Sequence, residues 1–244
     1  MKQLMIIGNW KMNKNFSETA EFIEDFYYEY KQNKKNLYEN IIFGIAPSFI
    51  NIPALKLNRV KNMQYVAQDV SSFEKYSRTG EVSAEMLKDL DVKYVIIGHS
   101  ERRKYCNETN QIINKKAKLA IEAGLKPIVC VGESLEEFES KKTKEVIKKQ
   151  IKEVLENIDE SKVIITYEPI WAIGSGESAT EEIISEIIDY IHSILNPNIQ
   201  ILYGGSVCPE NIQKICEIPG INGCLVGNAS LDVKKFIKLL TLNK

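Results

Sequence analysis

The sequence predicts an α/β protein folded as a single-domain (β/α)8 barrel over residues 1–244. Eight short apolar runs rich in Val and Ile recur along the chain, and helical patterns fill the intervals between them. The length of 244 residues is close to the roughly 250 residues typical of this barrel. Strict alternation of strand and helix indicates a parallel sheet with right-handed crossovers. An open doubly wound sheet gives the same alternation and remains an alternative.

The predicted strands are continuously apolar rather than alternating. Such runs are expected where helices cover one face of a strand and a core covers the other. The eight runs are residues 4–7, 41–45, 64–67, 94–97, 127–131, 163–167, 199–203 and 221–226.

Apolar stripes at steps of three and four residues predict five helices between the strands. Gly124 follows the second stripe at a position typical of a helix C-terminus, and Ser178 and Glu181 have capping-box spacing before the fourth. The stripes are Ile23, Phe26, Tyr27 and Tyr30; Ile113, Ala117 and Ala120; Ile147, Ile151, Leu155 and Ile158; Ile184, Ile187, Ile188, Ile191 and Leu195; and Val233, Phe236, Ile237 and Leu240.

Composition excludes several classes of partner. The formal net charge is −1, which argues against a broad surface for nucleic acid or anionic lipid. The five cysteines are odd in number and contain no Cys-x-x-Cys pair, so neither a disulfide framework nor a zinc site is indicated. The N-terminal apolar run is too short for a signal peptide, and no membrane-length run follows. We therefore expect a cytoplasmic protein with no nucleic-acid or membrane partner.

In either architecture, catalytic residues are expected just after the strands. Lys11 lies four residues past the first run, where it could point into the barrel mouth or be an ordinary surface lysine. His99 follows the fourth run and precedes a helix start, so it could be catalytic or only a helix cap. A helix N-terminus there would keep its imidazole neutral. The second histidine, His192, falls in a helical stretch and is predicted to be structural or exposed.

Glu168 ends the sixth run, and burying its charge costs several kcal/mol unless it is compensated. In the loop that follows, Pro169 and Trp171 stiffen one end, while Gly174 and Gly176 loosen the middle. This composition favours a lid that closes over the carboxylate. The alternative is a salt bridge at the strand end followed by an ordinary loop.

Small residues follow the seventh and eighth runs, in Gly204-Gly205-Ser206 and Gly227-Asn228-Ala229-Ser230. Backbone N–H groups exposed by such loops, with helix starts behind them, can hold a phosphate. Each glycine run alone is weak evidence because tight turns need glycine, but two in adjacent units are stronger. The residues thus indicate a barrel enzyme for a small phosphorylated metabolite, without a metal-ligand cluster or dinucleotide fingerprint. They do not name the substrate.

At these residues the sequence resembles the triosephosphate isomerase family, and the resemblance runs the whole chain. The lid stretch is its most specific motif. The motifs that carry it are Asn9-Trp10-Lys11-Met12-Asn13, Ala67-Gln68-Asp69, Thr79-Gly80-Glu81, Gly98-His99-Ser100-Glu101-Arg102-Arg103, Cys130-Val131-Gly132-Glu133, residues 167–176, Tyr203-Gly204-Gly205-Ser206-Val207 and Leu225-Val226-Gly227-Asn228-Ala229-Ser230-Leu231.

The resemblance implies a cofactor-free and metal-free TIM barrel that interconverts dihydroxyacetone phosphate and D-glyceraldehyde 3-phosphate in glycolysis and gluconeogenesis. It implies that Glu168 shuttles the proton, that neutral His99 polarises the carbonyl, and that Glu101 supports the site. Asn9 and Lys11 would bind substrate and assist the developing enediolate. The implied phosphate-binding backbone belongs to Gly174, Ser206, Gly227 and Asn228, and the implied lid is Pro169, Ile170, Trp171, Ala172, Ile173, Gly174, Ser175 and Gly176.

The resemblance also implies a homodimer in which Met12 and Thr79 lie at the interface. The segment 74–78, just before Thr79, departs from the family pattern, which puts the dimer affinity in doubt. Asn228 stands where the family usually has the second glycine of a pair. If that position needs a positive φ, asparagine is the least costly replacement. His192 and Asn222 replace a usual arginine–aspartate pair.

Two other functions are compatible with parts of this pattern. One is a different phosphate-binding barrel, such as an epimerase or an amino-acid biosynthesis enzyme, although the lid stretch argues against it. The other is an inactive barrel with a binding role. The intact set of Asn9, Lys11, His99, Glu101 and Glu168 argues against that second alternative.

Overall fold

The computed structural model describes residues 2–74, 77–173 and 179–242. Eight parallel strands close in chain order into a barrel, and the first strand pairs with the eighth. The closed (β/α)8 barrel is therefore confirmed over the open sheet. Each strand lies within two residues of its predicted run: β1 Leu4–Asn9, β2 Ile41–Ala46, β3 Met63–Ala67, β4 Val92–Ile97, β5 Lys126–Val131, β6 Ile164–Tyr167, β7 Gln200–Tyr203 and β8 Ile221–Val226.

Helices cover the outside of the barrel. Among the described residues, the five predicted stripes correspond to the five longest α-helices, whereas the sequence missed four short α-helices and the 3-10 segments, of which Phe49–Leu57 is the longest. None of the helices in the described ranges is long and apolar enough to cross a membrane. The α-helices are α1 Phe16–Asn33, α2 Ala84–Asp89, α3 Ser100–Tyr105, α4 Asn110–Glu122, α5 Leu135–Glu139, α6 Thr143–Val154, α7 Glu181–Ile194, α8 Ile212–Glu217 and α9 Val233–Leu240.

Helix ends follow local capping chemistry. Gly124 has φ +86° just beyond α4, as predicted for a residue that ends a helix. Ser178 of the predicted capping box lies outside the described residues, and the N-cap position is taken by Thr180 instead. The helix begins at Glu181, and the Thr180 side chain caps it by accepting from the backbone N–H of Ile183 at 3.4 Å. Thr180 has the same capping chemistry as serine and lies directly before the first helical residue.

The apolar core has two layers because alternate strand residues face opposite sides of the barrel wall. Between strands and helices lies the larger layer, which includes Phe26, Phe43 and Phe236. A smaller set fills the barrel interior. This inner packing closes the barrel to solvent, so chemistry is confined to its ends. The inner residues are Met5, Ile7, Ala46, Val66, Ile96, Ile128, Cys130, Ile164, Leu202 and Leu225.

The predicted structural role of His192 fits its position on α7. Its Nε2 atom lies 3.2 Å from the carbonyl of Gly220, in the turn before β8. Asn222 accepts a hydrogen bond from the backbone N–H of Ile201 at 2.9 Å through Oδ1. The two residues that replace the family's usual ion pair therefore each bond to backbone instead.

Candidate active site

The carboxyl ends of five strands surround one cavity, whose empty space including its mouth is ≈ 570 Å³. That is a size typical of sites for small molecules. The structure brings eight of the predicted site residues together here, counting Ile173 of the lid, whereas Gly174, Ser175 and Gly176 lie outside the described residues. The lining residues are Asn9, Lys11, His99, Glu168, Ile173, Gly204, Gly205, Ser206, Val207, Leu225, Gly227 and Asn228.

Glu168 follows directly on β6, and only 2% of it is exposed to solvent. Its backbone N–H donates to the carbonyl of Val131 at 2.8 Å, which fixes the residue against β5. Oε2 accepts from the backbone N–H of Ser100 at 3.3 Å, and Oε1 lies 3.4 Å from Nε2 of His99. Among the described residues, no lysine or arginine forms a salt bridge with this carboxylate. The alternative of a strand-end salt bridge is therefore wrong.

Two glycines make the space that Glu168 occupies. A Cβ atom at Gly132 would lie 1.8 Å from the Glu168 carbonyl oxygen, and one at Gly204 would lie 2.8 Å from Cγ of Glu168. Real Cβ atoms do not approach other atoms that closely, so neither position accepts a side chain without moving the glutamate. Glycine is thus required directly after β5 and directly after β7 for the Glu168 side chain to occupy its position.

His99 is the N-cap residue of α3 and is buried. Its Nδ1 atom accepts the backbone N–H of Glu101 at 3.2 Å. An accepting Nδ1 carries no hydrogen, so the imidazole is neutral and its proton is on Nε2, which faces the cavity and Glu168. From the sequence, His99 could be either a helix cap or a residue of the active site. In the structure the same imidazole ring caps α3 and His99 lines the cavity.

Lys11 is held over the cavity by three contacts. Its ammonium lies 2.8 Å from Oε1 of Glu101, and its backbone N–H donates to Oδ1 of Asn9 at 3.1 Å. Its φ of +52° is rare for a non-glycine residue, and its carbonyl accepts from Nε2 of Gln68 at 2.8 Å. The description of Lys11 as an ordinary surface lysine is therefore wrong. The role of Gln68 in holding it was not anticipated.

The two small-residue loops line the same cavity as Glu168. The carbonyl of Ser206 accepts from Nδ2 of Asn211 at 3.0 Å, and Ser230 donates to the carbonyl of Gly227 at 2.7 Å. Asn228 is exposed and begins a 3-10 turn over Asn228–Ser230, and its φ is not positive. A positive φ therefore does not explain why asparagine stands at position 228. Asn228 is one of the residues that line the cavity.

The first part of the predicted lid is anchored to β5. Residues Ile170–Ala172 form a 3-10 turn, in which the Trp171 indole donates to Oε1 of Glu133 at 2.9 Å. Tyr167 donates to the same oxygen at 3.2 Å, and the Phe138 ring stacks on Trp171 at 4.5 Å. Burial raises the pKa of the Glu133 carboxyl, and the two donors oppose that rise. The role of Glu133 was not predicted, although this residue ends the motif Cys130-Val131-Gly132-Glu133.

A buried ionic cluster lies behind α3. Arg102 contacts Asp69 at 2.9 Å and Glu108 at 2.6 Å, and Lys116 contacts the same two carboxylates at 2.6 Å each. Burial raises the pKa of Asp69, whereas Lys116 and Arg102 lower it. The cluster connects α3 to the segment after β3 and to α4. It was not anticipated from the sequence.

This fold and site define a barrel enzyme of the acid–base class, in which a buried carboxylate and a neutral imidazole face the cavity for a small molecule. A family model described as triosephosphate isomerase matches residues 4–243. The chain therefore belongs to the triosephosphate isomerase family, and it is an isomerase. The family resemblance read from the motifs is confirmed.

Full-length relatives give the same assignment. The chain is 52% identical to a triosephosphate isomerase of Mycoplasmopsis pulmonis over 245 residues, covering 100% of this chain and 99% of the relative. It is 51% identical to that of Mesomycoplasma hyorhinis, with complete coverage of both chains. The protein of the same name from Mycoplasma mobile is 46% identical and covers 98% of this chain, with 100% of its own length matched.

We predict that Lys116→Met destabilises the protein by about 3–5 kcal/mol, because it leaves two buried carboxylates to share one arginine. Denaturant unfolding at fixed protein concentration measures this. Lys115→Met on the exposed face of the same helix is the matched control and should change stability by less than about 0.5 kcal/mol. Equal effects of the two substitutions would show that the cluster contributes nothing.

Proposed function

We propose that this isomerase interconverts dihydroxyacetone phosphate and D-glyceraldehyde 3-phosphate by moving a proton between two substrate carbons through an enediolate. The observation that carries the proposal is that Glu168 and His99 line one small cavity together with two small-residue loops. Membership of the family supports the same substrate. The reaction belongs to glycolysis and gluconeogenesis, and residues 1–244 form its single catalytic domain.

Glu168 is the proposed base. The carbon acid of a phosphorylated ketose is very weak, so the base must have little solvation to be strong enough. Burial of all but 2% of this residue supplies that condition. One carboxylate oxygen is held by the N–H of Ser100 at 3.3 Å, which leaves the other directed toward the cavity and His99. In the proposed reaction Glu168 takes a proton from one carbon and returns it to the next.

The remaining polar groups stabilise the charge that develops on the substrate oxygens. The Nε2–H of neutral His99 donates to the carbonyl as it becomes an enediolate. The Lys11 ammonium adds positive charge, and Asn9 adds a donor beside it. Glu101 contacts Lys11 at 2.8 Å and therefore orients it. Donors preorganised in this way contribute roughly 3–4 kcal/mol each to transition-state stabilisation.

The substrate phosphate is assigned to the two small-residue loops. Ser206, Gly227 and Asn228 line the cavity, and in the proposal their backbone N–H groups bind the phosphate together with the N–H of Gly174 from the lid. Binding energy from this non-reacting group is used to close the lid over residues 169–176. Closure excludes water, strengthens the donors around the enediolate and prevents early release of an intermediate that would lose its phosphate.

A homodimer is part of the proposal. Met12 is 97% exposed, and together with Phe49 and Tyr105 it lines a groove that adjoins the cavity. A second copy would cover this surface and bring its Thr79 near Asn9. Other exposed apolar residues are Phe16, Ile50, Phe73 and Met86.

A cytoplasmic location is also proposed. All five cysteines are free, as is usual in a reducing compartment. The rival functions, a different phosphate-binding barrel or an inactive barrel with a binding role, would both lack turnover of dihydroxyacetone phosphate. A coupled assay in a metal-free buffer separates them from the proposed activity.

We predict that Glu168→Gln lowers kcat by about 10²–10⁴-fold, because an amide cannot accept the substrate proton. KM should change little, since the phosphate contacts are made by other residues. The coupled assay on both proteins measures this. Gln150→Glu, which alters a side chain that bonds the Gly132 backbone outside the cavity, tests whether any nearby charge change has the same effect. Undiminished turnover of Glu168→Gln would refute the assignment.

We predict that Asn228→Gly lowers KM roughly two- to tenfold at unchanged kcat, because Asn228 lines the proposed phosphate site and glycine removes the amide that would crowd the anion. Inhibition by inorganic phosphate should strengthen by a similar factor. Steady-state kinetics with and without phosphate measure both quantities. An unchanged KM together with unchanged phosphate inhibition would mean that the amide does not crowd the anion.

We predict that the chain is a dimer at micromolar concentration and that Met12→Lys shifts it toward monomer with a loss of activity. The lysine would place a charge in an apolar contact surface. Analytical ultracentrifugation combined with the assay measures the two effects. Leu135→Lys is the matched control, because Leu135 is an exposed apolar residue on α5, away from the groove. A fully active wild-type monomer would overturn the dimer proposal.

A further inference from the structure

The loop between β1 and α1, residues 10–15, carries Lys11, and its first half is held by several hydrogen bonds. The backbone N–H of Trp10 donates to the carbonyl of Ala46 at 3.0 Å, and its indole donates to the carbonyl of Ser230 at 3.1 Å. Nε2 of Gln68 donates to the carbonyl of Lys11 at 2.8 Å. The start of the loop is therefore fixed to β2, to the segment after β3 and to the turn after β8.

The second half of this loop has much less support. Lys14 has φ +65°, a left-handed conformation that is uncommon for a residue other than glycine. Nδ2 of Asn13 donates to the carbonyl of Trp10 at 2.7 Å, which is a bond within the loop. In the described parts of the chain, residues 12–14 make a single hydrogen bond outside the loop, and the Lys14 carbonyl accepts it. A strained backbone of this kind persists only where its surroundings hold it.

The donor to the Lys14 carbonyl is Nδ2 of Asn51, at 2.7 Å. Asn51 is 0% exposed, and the same nitrogen also donates to Oγ of Ser48 at 3.1 Å. Its Oδ1 atom is buried as well and has no hydrogen-bond partner among the described residues. A buried acceptor without a partner is unfavourable. The amide at position 51 therefore contributes through its donor group alone.

Asn51 connects the loop to a packed support. It belongs to the 3-10 segment Phe49–Leu57, in which Ile52 and Leu55 are part of the apolar layer between strands and helices. The bond spans 37 residues of sequence, so it ties the loop to an element that is fixed by the core. The conformation of Lys14 thus depends on a contact that lies outside the cavity.

We propose that Asn51 is a positioning residue for Lys11. Its bond to the Lys14 carbonyl keeps the loop in the conformation that places the Lys11 ammonium at the cavity. Lys11 itself has φ +52°, so two residues with left-handed backbone stand three positions apart, and relaxation of one displaces the other. The inference rests on the proposed function, in which Lys11 acts on the triose phosphate. A displacement of about 1 Å at such a group can lower the rate by about 10²-fold.

Asn51→Ala tests the proposal, because it removes the donor and adds neither charge nor bulk. The value of kcat/KM for dihydroxyacetone phosphate should fall roughly 10- to 100-fold. A second measurement needs no activity. Trypsin cleaves after lysine, and mass spectrometry follows the release of fragment 1–14 from the folded protein. This release should be roughly tenfold faster or more, because proteolysis follows the population of the locally open form. Fragments from other sites should not appear sooner.

Asn114→Ala is the matched control. Asn114 is 8% exposed, and its Nδ2 atom donates to the carbonyls of Val154 at 2.8 Å and Glu156 at 3.0 Å, at the end of α6. The substitution removes the same kind of buried donor from a different part of the barrel. It should lower the melting temperature, but kcat/KM and the cleavage after Lys14 should stay within about twofold of wild type. All proteins are compared at concentrations that give the same oligomeric state in the ultracentrifuge.

Lys14→Gly provides a rescue test. Glycine adopts a positive φ without strain, so the loop should keep its conformation without the bond from Asn51. In this background, Asn51→Ala should lower kcat/KM by no more than about threefold. Glycine also removes the Lys14 ammonium from its position 5.5 Å from the centroid of the Trp10 ring, so each loss is measured against its own background. Equal losses in the two backgrounds would show that Asn51 does not act through residue 14.

Two further results would overturn the proposal. Unchanged cleavage after Lys14 in Asn51→Ala would mean that the bond does not hold the loop. Faster cleavage at unchanged kcat/KM would mean that the held loop does not position Lys11. Absence of turnover by the wild-type protein would instead refute the proposed function, and the cleavage rates would still decide whether Asn51 holds the loop. If Asn51→Ala does not fold, Asn51→Ser is measured in its place, because its hydroxyl is too short to reach the Lys14 carbonyl.

Discussion

The active-site architecture depends on holding a carboxylate, that of Glu168, almost fully out of water without a salt bridge to a lysine or arginine of the described residues. Such burial costs several kcal/mol unless hydrogen bonds replace the lost solvation. The N–H of Ser100 and the Nε2–H of His99 are the groups placed to do so. Gly132 and Gly204 leave the volume that the side chain fills. The packed barrel interior beneath it keeps water from entering below.

Helix α3 is only six residues long, and it supplies most of the groups that surround the carboxylate. Its first N–H groups bond Glu168 and His99, and its Glu101 side chain holds Lys11. A helix of six residues is not stable by itself, since most of its backbone groups lie in its ends. The buried cluster of Arg102 with Asp69, Glu108 and Lys116 fixes it to its neighbours. The electrostatics of the cavity thus rest on a charge network outside it.

The strands were predictable because both of their faces are buried, which forces a continuous apolar run. The long helices were predictable because two or more turns give a repeating stripe, whereas α2, α3, α5 and α8 are too short to show one. The cavity residues were predictable because they lie just after strands. The contacts of Gln68 and Glu133 were not predictable, because their partners are 57 and 38 residues away and no local sequence pattern indicates such contacts.

The same alternation along strands places two buried cysteines in different layers of the barrel. Cys130 on β5 faces the barrel interior, where burial first and then the charge of Glu168 raise the pKa of its thiol well above its usual range. It therefore stays a neutral thiol and adds no second negative charge next to Glu168. Cys224 on β8 faces the other side of the barrel wall, in the layer between strands and helices. A shift of one residue along a strand would exchange these environments, so the face that a cysteine occupies determines its chemistry.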